Sequence, residues 1–151
     1  MASAGEAYYP PVGFHFSVKF TDISEEIDTR FQEVSGLSVT VGTEDYPEGG
    51  QNRFVHKLPK GTSYDNLVLK RGVVKGSKLV EWCNKTVEEL TIEPKEVLVS
   101  LLDEQDKPLF SWNIVNAYPI KWSFERLNAE SGELLIESME LNYHYFSIKN
   151  F

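Results

Sequence analysis

The chain has 151 residues, 41% of them apolar and 25% charged, and carries a net charge of −8. That length predicts one domain with a substantial core, and the acidity argues against a nucleic-acid reader or an anionic-membrane binder, which need a basic footprint. Cys83 is the single cysteine, so an intrachain disulfide and a cysteine-rich metal site are excluded, in keeping with a reducing cytoplasm.

In chain order, residues 1–13 read as an arm. Tyr8-Tyr9-Pro10-Pro11 favours an extended path, and the first residues lack the pattern of a secretory signal. The domain proper, 14–151, opens on a half-buried strand with Phe14, Phe16, Val18 and Phe20 on one face. Thr21 to Thr29 is polar and acidic, a loop or one helical turn. Arg30 to Thr43 reads as strand, broken at Ser35-Gly36 by a bulge or bend. Glu44 to Asn52 combines acidic residues, Pro47 and the Gly49-Gly50 pair, which predicts a long loop over about 43–53. Arg53 to Leu58 resumes as strand. Pro59 and Gly61 then predict a turn, Leu67-Val68-Leu69 a short strand, Lys70-Arg71 its basic end and Gly72 a second turn.

One helix is expected over about 77–90. Ser77 is the N-cap, Glu81 suits the first turn, and Leu79, Cys83, Thr86, Val87 and Leu90 share a face. Pro94 forbids continuation. Strands follow at Glu96–Leu102 and Leu109–Tyr118, joined by a polar turn at 103–108. Pro119 marks a corner or an edge, Ile120, Trp122 and Phe124 continue the alternation, and Asn128 to Gly132 is a turn. A long strand from Leu134 to about Phe146 puts Met139, Leu141, Tyr143 and Tyr145 on one face. No apolar run is long enough to span a bilayer, so no membrane anchoring is expected.

The catalytic options are weak. Cys83 lies on the apolar helix face, where a structural thiol is expected. His15, His56 and His144 lack the close spacing of a metal site. Asp103, Gln105 and Lys107 resemble the start of a calcium loop, but the glycine and glutamate such a loop needs are missing. No cofactor is implied. Strands that alternate an apolar face with a thinly polar one suit sheets with one side on a core, and ring closure would remove their unpaired edges.

Several motifs carry a resemblance that runs over roughly residues 10 to 145. They are Lys60-Gly-x-x-Tyr64-x-Asn66-Leu-x-Leu-Lys70-Arg71-Gly72, Phe31-x-x-Val34-Ser35-Gly36-Leu37, Trp112 to Trp122 around Ala117-Tyr118-Pro119, Leu127-Asn128-Ala129, and Glu137 to Leu141. Together they resemble the tail tube proteins of contractile phages and phage-tail-like contractile injection systems, relatives of the type VI secretion tube protein. The resemblance implies a mainly β fold, two packed sheets with one flanking α-helix, whose strands join across subunits into a ring barrel. Homohexameric rings would stack into a hollow tube inside a contractile sheath, with baseplate or spike and tube-terminating partners. Effector or DNA cargo would sit in the lumen without specific binding. Assembly is expected in the bacterial cytoplasm, within a particle that can become extracellular.

On the same resemblance, Glu44, Asp45, Tyr46, Gly49, Gly50, Lys60, Tyr64, Asn66, Lys70 and Arg71 would serve ring and subunit contacts, the cations meeting acidic surface on a neighbour or ending a solvated strand. The lumen would be lined by Ser38, Thr40, Lys121, Ser123, Glu125, Ser138 and Glu140. The alternatives are a monomeric β-sandwich binding glycan or peptide through Tyr8, Tyr9 and Tyr46, and a thiol hydrolase using Cys83.

Overall fold

The computed structural model describes residues 15–25, 28–47, 49–50, 53–125, 130 and 135–149, which form nine strands and one helix. These are β1 (His15–Phe20), β2 (Glu33–Ser35), β3 (Val39–Tyr46), β4 (His56–Tyr64), β5 (Leu67–Gly72), α1 (Lys78–Glu89), β6 (Lys95–Leu102), β7 (Pro108–Phe124), β8 (Ile136–Asn142) and β9 (Tyr145–Lys149). The arm, Phe14 and the Asn128–Gly132 turn, apart from Glu130, lie outside the described residues.

β7 belongs to two sheets. Its first half pairs with β6 and β9, its second half with β8. One sheet therefore runs β1-β6-β7-β9 and the other β7-β8-β5-β2, every neighbour antiparallel. The change of sheet falls at Ala117-Tyr118, just before Pro119, and a register shift follows between Pro119 and Lys121. That is the corner a proline without an amide donor permits.

Side chains from both sheets and the helix meet in one core. Val18, Val97, Ile114, Leu67, Leu69, Met139, Leu141 and Leu79 are fully buried, and each contributes about 1.5–3 kcal/mol by leaving water. The alternation in β1 and β8 places these residues inward as expected, and β5 and β6 show the same parity. α1 starts where predicted, with Ser77 Oγ accepting from Val80 N at 3.2 Å. Trp82 holds it to the sheets through an edge contact with Phe20 at 5.8 Å and an indole N–H donated to Glu93 O at 2.8 Å. The last turn overhangs the core, however. Val87 and Leu90 are exposed, Leu90 being the left-handed C-cap at φ 52°.

Four expectations are corrected. Residues 44–46 are strand, because β3 pairs with β4 as far as Tyr46↔His56, so the connection is confined to 47–55. Pro59 and Gly61 lie inside β4 and Gly72 inside β5, and neither Gly61 nor Gly72 has a positive φ. An edge strand accepts a proline whose missing donor would face solvent, which the turn reading overlooked. The long C-terminal strand is interrupted at Tyr143-His144, where the phase flips. Phe146 then packs against the core, whereas Tyr145 is exposed. The fourth concerns Arg71, below.

Candidate assembly surfaces

β3 and β4 form a two-stranded sheet of their own. All of β3 is exposed, and so is β4 up to Ser63. Val41 and Leu58, 54% and 50% exposed, lie on this hairpin with Val39 and Tyr46, and Phe54 and Val55 stand at its end. Such a ribbon has no core, and an isolated hairpin is marginal in water. Glu44, Asp45 and Tyr46 are cross-strand partners of Leu58, Lys57 and His56. Gly49 and Gly50 fall in the end turn, Gly50 at φ 87°. The register shifts between Gly42 and Thr43, which leaves Lys60 as the extra residue of a bulge.

The hairpin is rooted by aromatics. Tyr64 makes edge contacts with Tyr143 at 5.8 Å and Phe146 at 5.1 Å, and Tyr143 Oη donates to Gly36 O at 3.4 Å. Burial pushes the Tyr143 hydroxyl up to about 12. Gly36 has φ 90°, and a Cβ there would meet Asn66 O at 1.9 Å, so the chain passes from β2 to β3 only with glycine at this point. Asn66 Nδ2 donates to Glu140 Oε1 at 3.0 Å and its Oδ1 accepts from Asn142 at 3.1 Å.

Arg71 neither ends a solvated strand nor reaches a neighbour. It is 2% exposed, and its guanidinium donates to Asp28 at 2.9 Å, Glu137 at 3.0 Å and Ser77 Oγ at 2.7 Å. Ser77 Oγ also bonds Asp28 Oδ1, and Lys78 N donates to Asp28 Oδ2 at 3.0 Å. This buried cluster joins Asp28, β5, β8 and the start of α1. Lys70 differs, pairing at the surface with Glu33 at 3.8 Å and Glu125 at 3.6 Å. Lys78 and Glu25 form a surface pair at 2.8 Å that raises the lysine and lowers the carboxyl through their hydrogen bond.

Asp28 and Glu137 were missed as members of this cluster. For Glu137 the signal lay in strand parity: Leu67, Leu69 and Arg71 alternate on one face, as do Glu137, Met139 and Leu141, so Arg71 and Glu137 both point inward, while Asp28 lies in no strand and carries no such signal.

Of the residues expected on a lumen wall, Lys121↔Glu140 and Ser123↔Ser138 are register partners on the outward face of the β7-β8-β5-β2 sheet, and Glu125 reaches the same face through Lys70. Ser38 and Thr40 are not with them, lying at the start of the hairpin. Cys83 is fully buried, and burial, with Glu137 nearby, pushes its thiol up to about 12, the state of an inert structural cysteine. Beside it an apolar groove of about 450 Å³ opens between Val87, Leu90 and Ile92 on one side and Tyr118 to Trp122 on the other. Among the described residues no group of three His, Cys, Asp or Glu is placed to hold a metal, and no helix is long and apolar enough to cross a membrane.

The family described as T4-like virus tail tube protein gp19 matches residues 12–147. The chain belongs to that family. It is a tail tube protein, and similar solved structures come from phage-tail-like particles. A chain of the anti-feeding prophage baseplate is 30% identical over 93% of this chain and 96% of its own, with a TM-score of 0.83. A chain of the PVC sheath-tube complex, an extracellular contractile injection system in the extended state, is 25% identical over 96% and 95%, with a TM-score of 0.81. Hcp1 from Flavobacterium johnsoniae, 15% identical over 91% and 97% at a TM-score of 0.54, shares the fold. No curated protein sequence matches. The tail tube family is one of structural proteins, so the reading as a monomeric glycan or peptide binder has no support. Tyr8 and Tyr9 lie outside the described residues, and Tyr46 belongs to the hairpin.

Proposed function

We propose that this tail tube protein forms homohexameric rings that stack into the hollow inner tube of a contractile particle. A sheath surrounds the tube, a baseplate or spike and a terminator close its ends, and effector or DNA cargo occupies the lumen without specific binding. The subunit acts as a building block and not as an enzyme, and it assembles in the bacterial cytoplasm before any release of the particle.

The observation that carries this reading is the β3–β4 hairpin, a coreless ribbon with large apolar side chains in solvent. Exposed apolar surface of this kind marks a contact with another chain. The hairpin reaches the adjacent ring, with Glu44, Asp45, Tyr46 and the Gly49-Gly50 turn at its far end and Lys60 at its bulge as contacts. Tyr64 and Asn66 hold its root, whereas Lys70 lies on the surface of β5, paired with Glu33 and Glu125.

Val41→Asp and Leu58→Asp test this. Both should leave the melting temperature of dispersed subunits unchanged while abolishing tube growth seen by electron microscopy. Normal tubes from both variants would refute the ring-to-ring role of the hairpin.

A further inference from the structure

Exposed large apolar side chains of the described residues collect in two places, the β3–β4 hairpin and the end of α1 with the part of β7 facing it. On the hairpin the register sorts them by face. Val39↔Tyr64 and Val41↔Thr62 share one face, and Tyr64 turns that face toward Tyr143 and Phe146 of its own core. Gly42↔Gly61, Glu44↔Leu58 and Tyr46↔His56 share the other, which points away from the subunit. Lys60, the bulge residue, stands on this second face, since a Cβ added to Gly42 would lie 4.0 Å from Lys60 Cβ. The face therefore presents Tyr46, Leu58 and Lys60 around a spot with no side chain. Paired glycines in a ribbon leave such a gap where another chain approaches closely.

The end of α1 is the second place. Every residue from Val87 to Pro94 is exposed, Leu90 at 86%. Val87, Leu90 and Ile92 form one wall of the apolar groove against β7. The last turn of α1 carries Glu88 and Glu89 and no base, although the carbonyl end of a helix favours a cation. Among the described residues no cation pairs with either glutamate, and no carboxylate pairs with Lys60. The hairpin thus offers apolar side chains with a spare cation, and α1 offers apolar side chains with two spare carboxylates. Both are exposed in the same subunit, so they do not cover each other within it. Every copy carries both surfaces, so a contact between them runs head to tail and repeats from copy to copy, as stacking requires.

Resting on the reading of the hairpin as the ring-to-ring contact, we infer that its receptor is the end of α1 on a copy in the adjacent ring. Leu58 of one copy packs on Val87 and Leu90 of the other. Leu90 fills the gap over Gly42 and Gly61, and Lys60 meets Glu88 and Glu89 beside the last carbonyls of the helix.

Charge exchange and a filled gap test the pairing. The readout is the critical concentration for tube growth, by sedimentation and electron microscopy, with urea midpoints of dispersed subunits as the folding control. Glu88→Lys combined with Glu89→Lys sets like charges against Lys60 and should raise the critical concentration about tenfold or more. The midpoint of that variant should stay unchanged or rise, because the helix end gains cations. Adding Lys60→Glu should restore most of the growth. Gly42→Leu should block growth, whereas the subunit itself has room for a side chain there, the nearest atom to an added Cβ being 3.6 Å away. If Gly42→Leu does not fold, Leu90→Asp, at an exposed position, takes its place and should also block growth. Normal tubes from the double glutamate variant or from Leu90→Asp overturn the inference, as does failure of Lys60→Glu to restore growth. Normal tubes from Leu58→Asp and Val41→Asp would instead refute the hairpin reading itself. Growth blocked in Leu58→Asp but normal in the α1 variants refutes the receptor alone.

Discussion

Arg71 and Glu137 face each other across the β5–β8 register, joined by a 3.0 Å bond from Nε to Oε1. Asp28 takes the other side of the guanidinium at 2.9 Å, so two buried carboxylates share one buried cation. Arg71→Met removes the cation and leaves both carboxylates in the core, a loss of about 3–5 kcal/mol. Lys70→Met, one residue earlier but paired at the surface, should cost less than about 1 kcal/mol. Urea midpoints of dispersed subunits measure both, and equal effects would contradict the assignment of Arg71 to an internal role.

Two glycines of the recognised motifs should respond in opposite ways. At Gly36, φ is 90° and an added Cβ would lie 1.9 Å from Asn66 O. Gly36→Ala therefore carries backbone strain of about 1–3 kcal/mol before the clash is counted. At Gly61 an added Cβ meets nothing within 4 Å, so Gly61→Ala should be neutral or stabilising by about 0.5–1 kcal/mol. Thermal unfolding of the two variants decides it.

That contrast shows what the sequence disclosed and what it hid. Alternation in Phe16-Val18-Phe20 and Met139-Leu141, the Ser77 cap and the 103–108 hairpin turn were legible because local chemistry and burial agree there. The turn is closed by Asp103 Oδ1, which accepts from Gln105 N and Lys107 N at 2.8 Å each. The β3–β4 hairpin was misread because proline and glycine normally punctuate strands, and an edge ribbon with no core exerts no alternation to outvote them. Arg71 was misread because its charge outweighed its parity with Leu67 and Leu69. The continuation of β7 through Pro119 depends on a change of sheet that no local pattern records.

Alkaline pH should weaken the fold. In the unfolded chain the Cys83 thiol ionises near 9.0 and the Tyr143 hydroxyl near 10.0, while burial holds both protonated to about 12 in the folded protein. Both folded values are raised, so their stabilising share is complete below the unfolded values and is lost as pH rises toward the folded ones. Across its window the thiol lowers unfolding free energy by up to about 1.4 kcal/mol per pH unit, and the hydroxyl, less deeply buried, by less. Cys83→Ala should flatten the first part of the decline, read as urea midpoints against pH. An unchanged slope would show that the thiol is not protected by burial.

Ser77→Ala should cost about 1–2 kcal/mol, since it removes the cap on Val80 N together with a partner of Arg71 and Asp28. Circular dichroism during urea unfolding measures it, and a change below a few tenths would mean that the cap contributes little here.

Electron microscopy of the purified, concentrated protein tests the central claim most directly. Six-subunit rings stacked into a hollow tube, its wall continuous from subunit to subunit, are the expected image. A solitary subunit under every assembly condition, with the hairpin and both sheet margins covered by its own chain, would contradict the account.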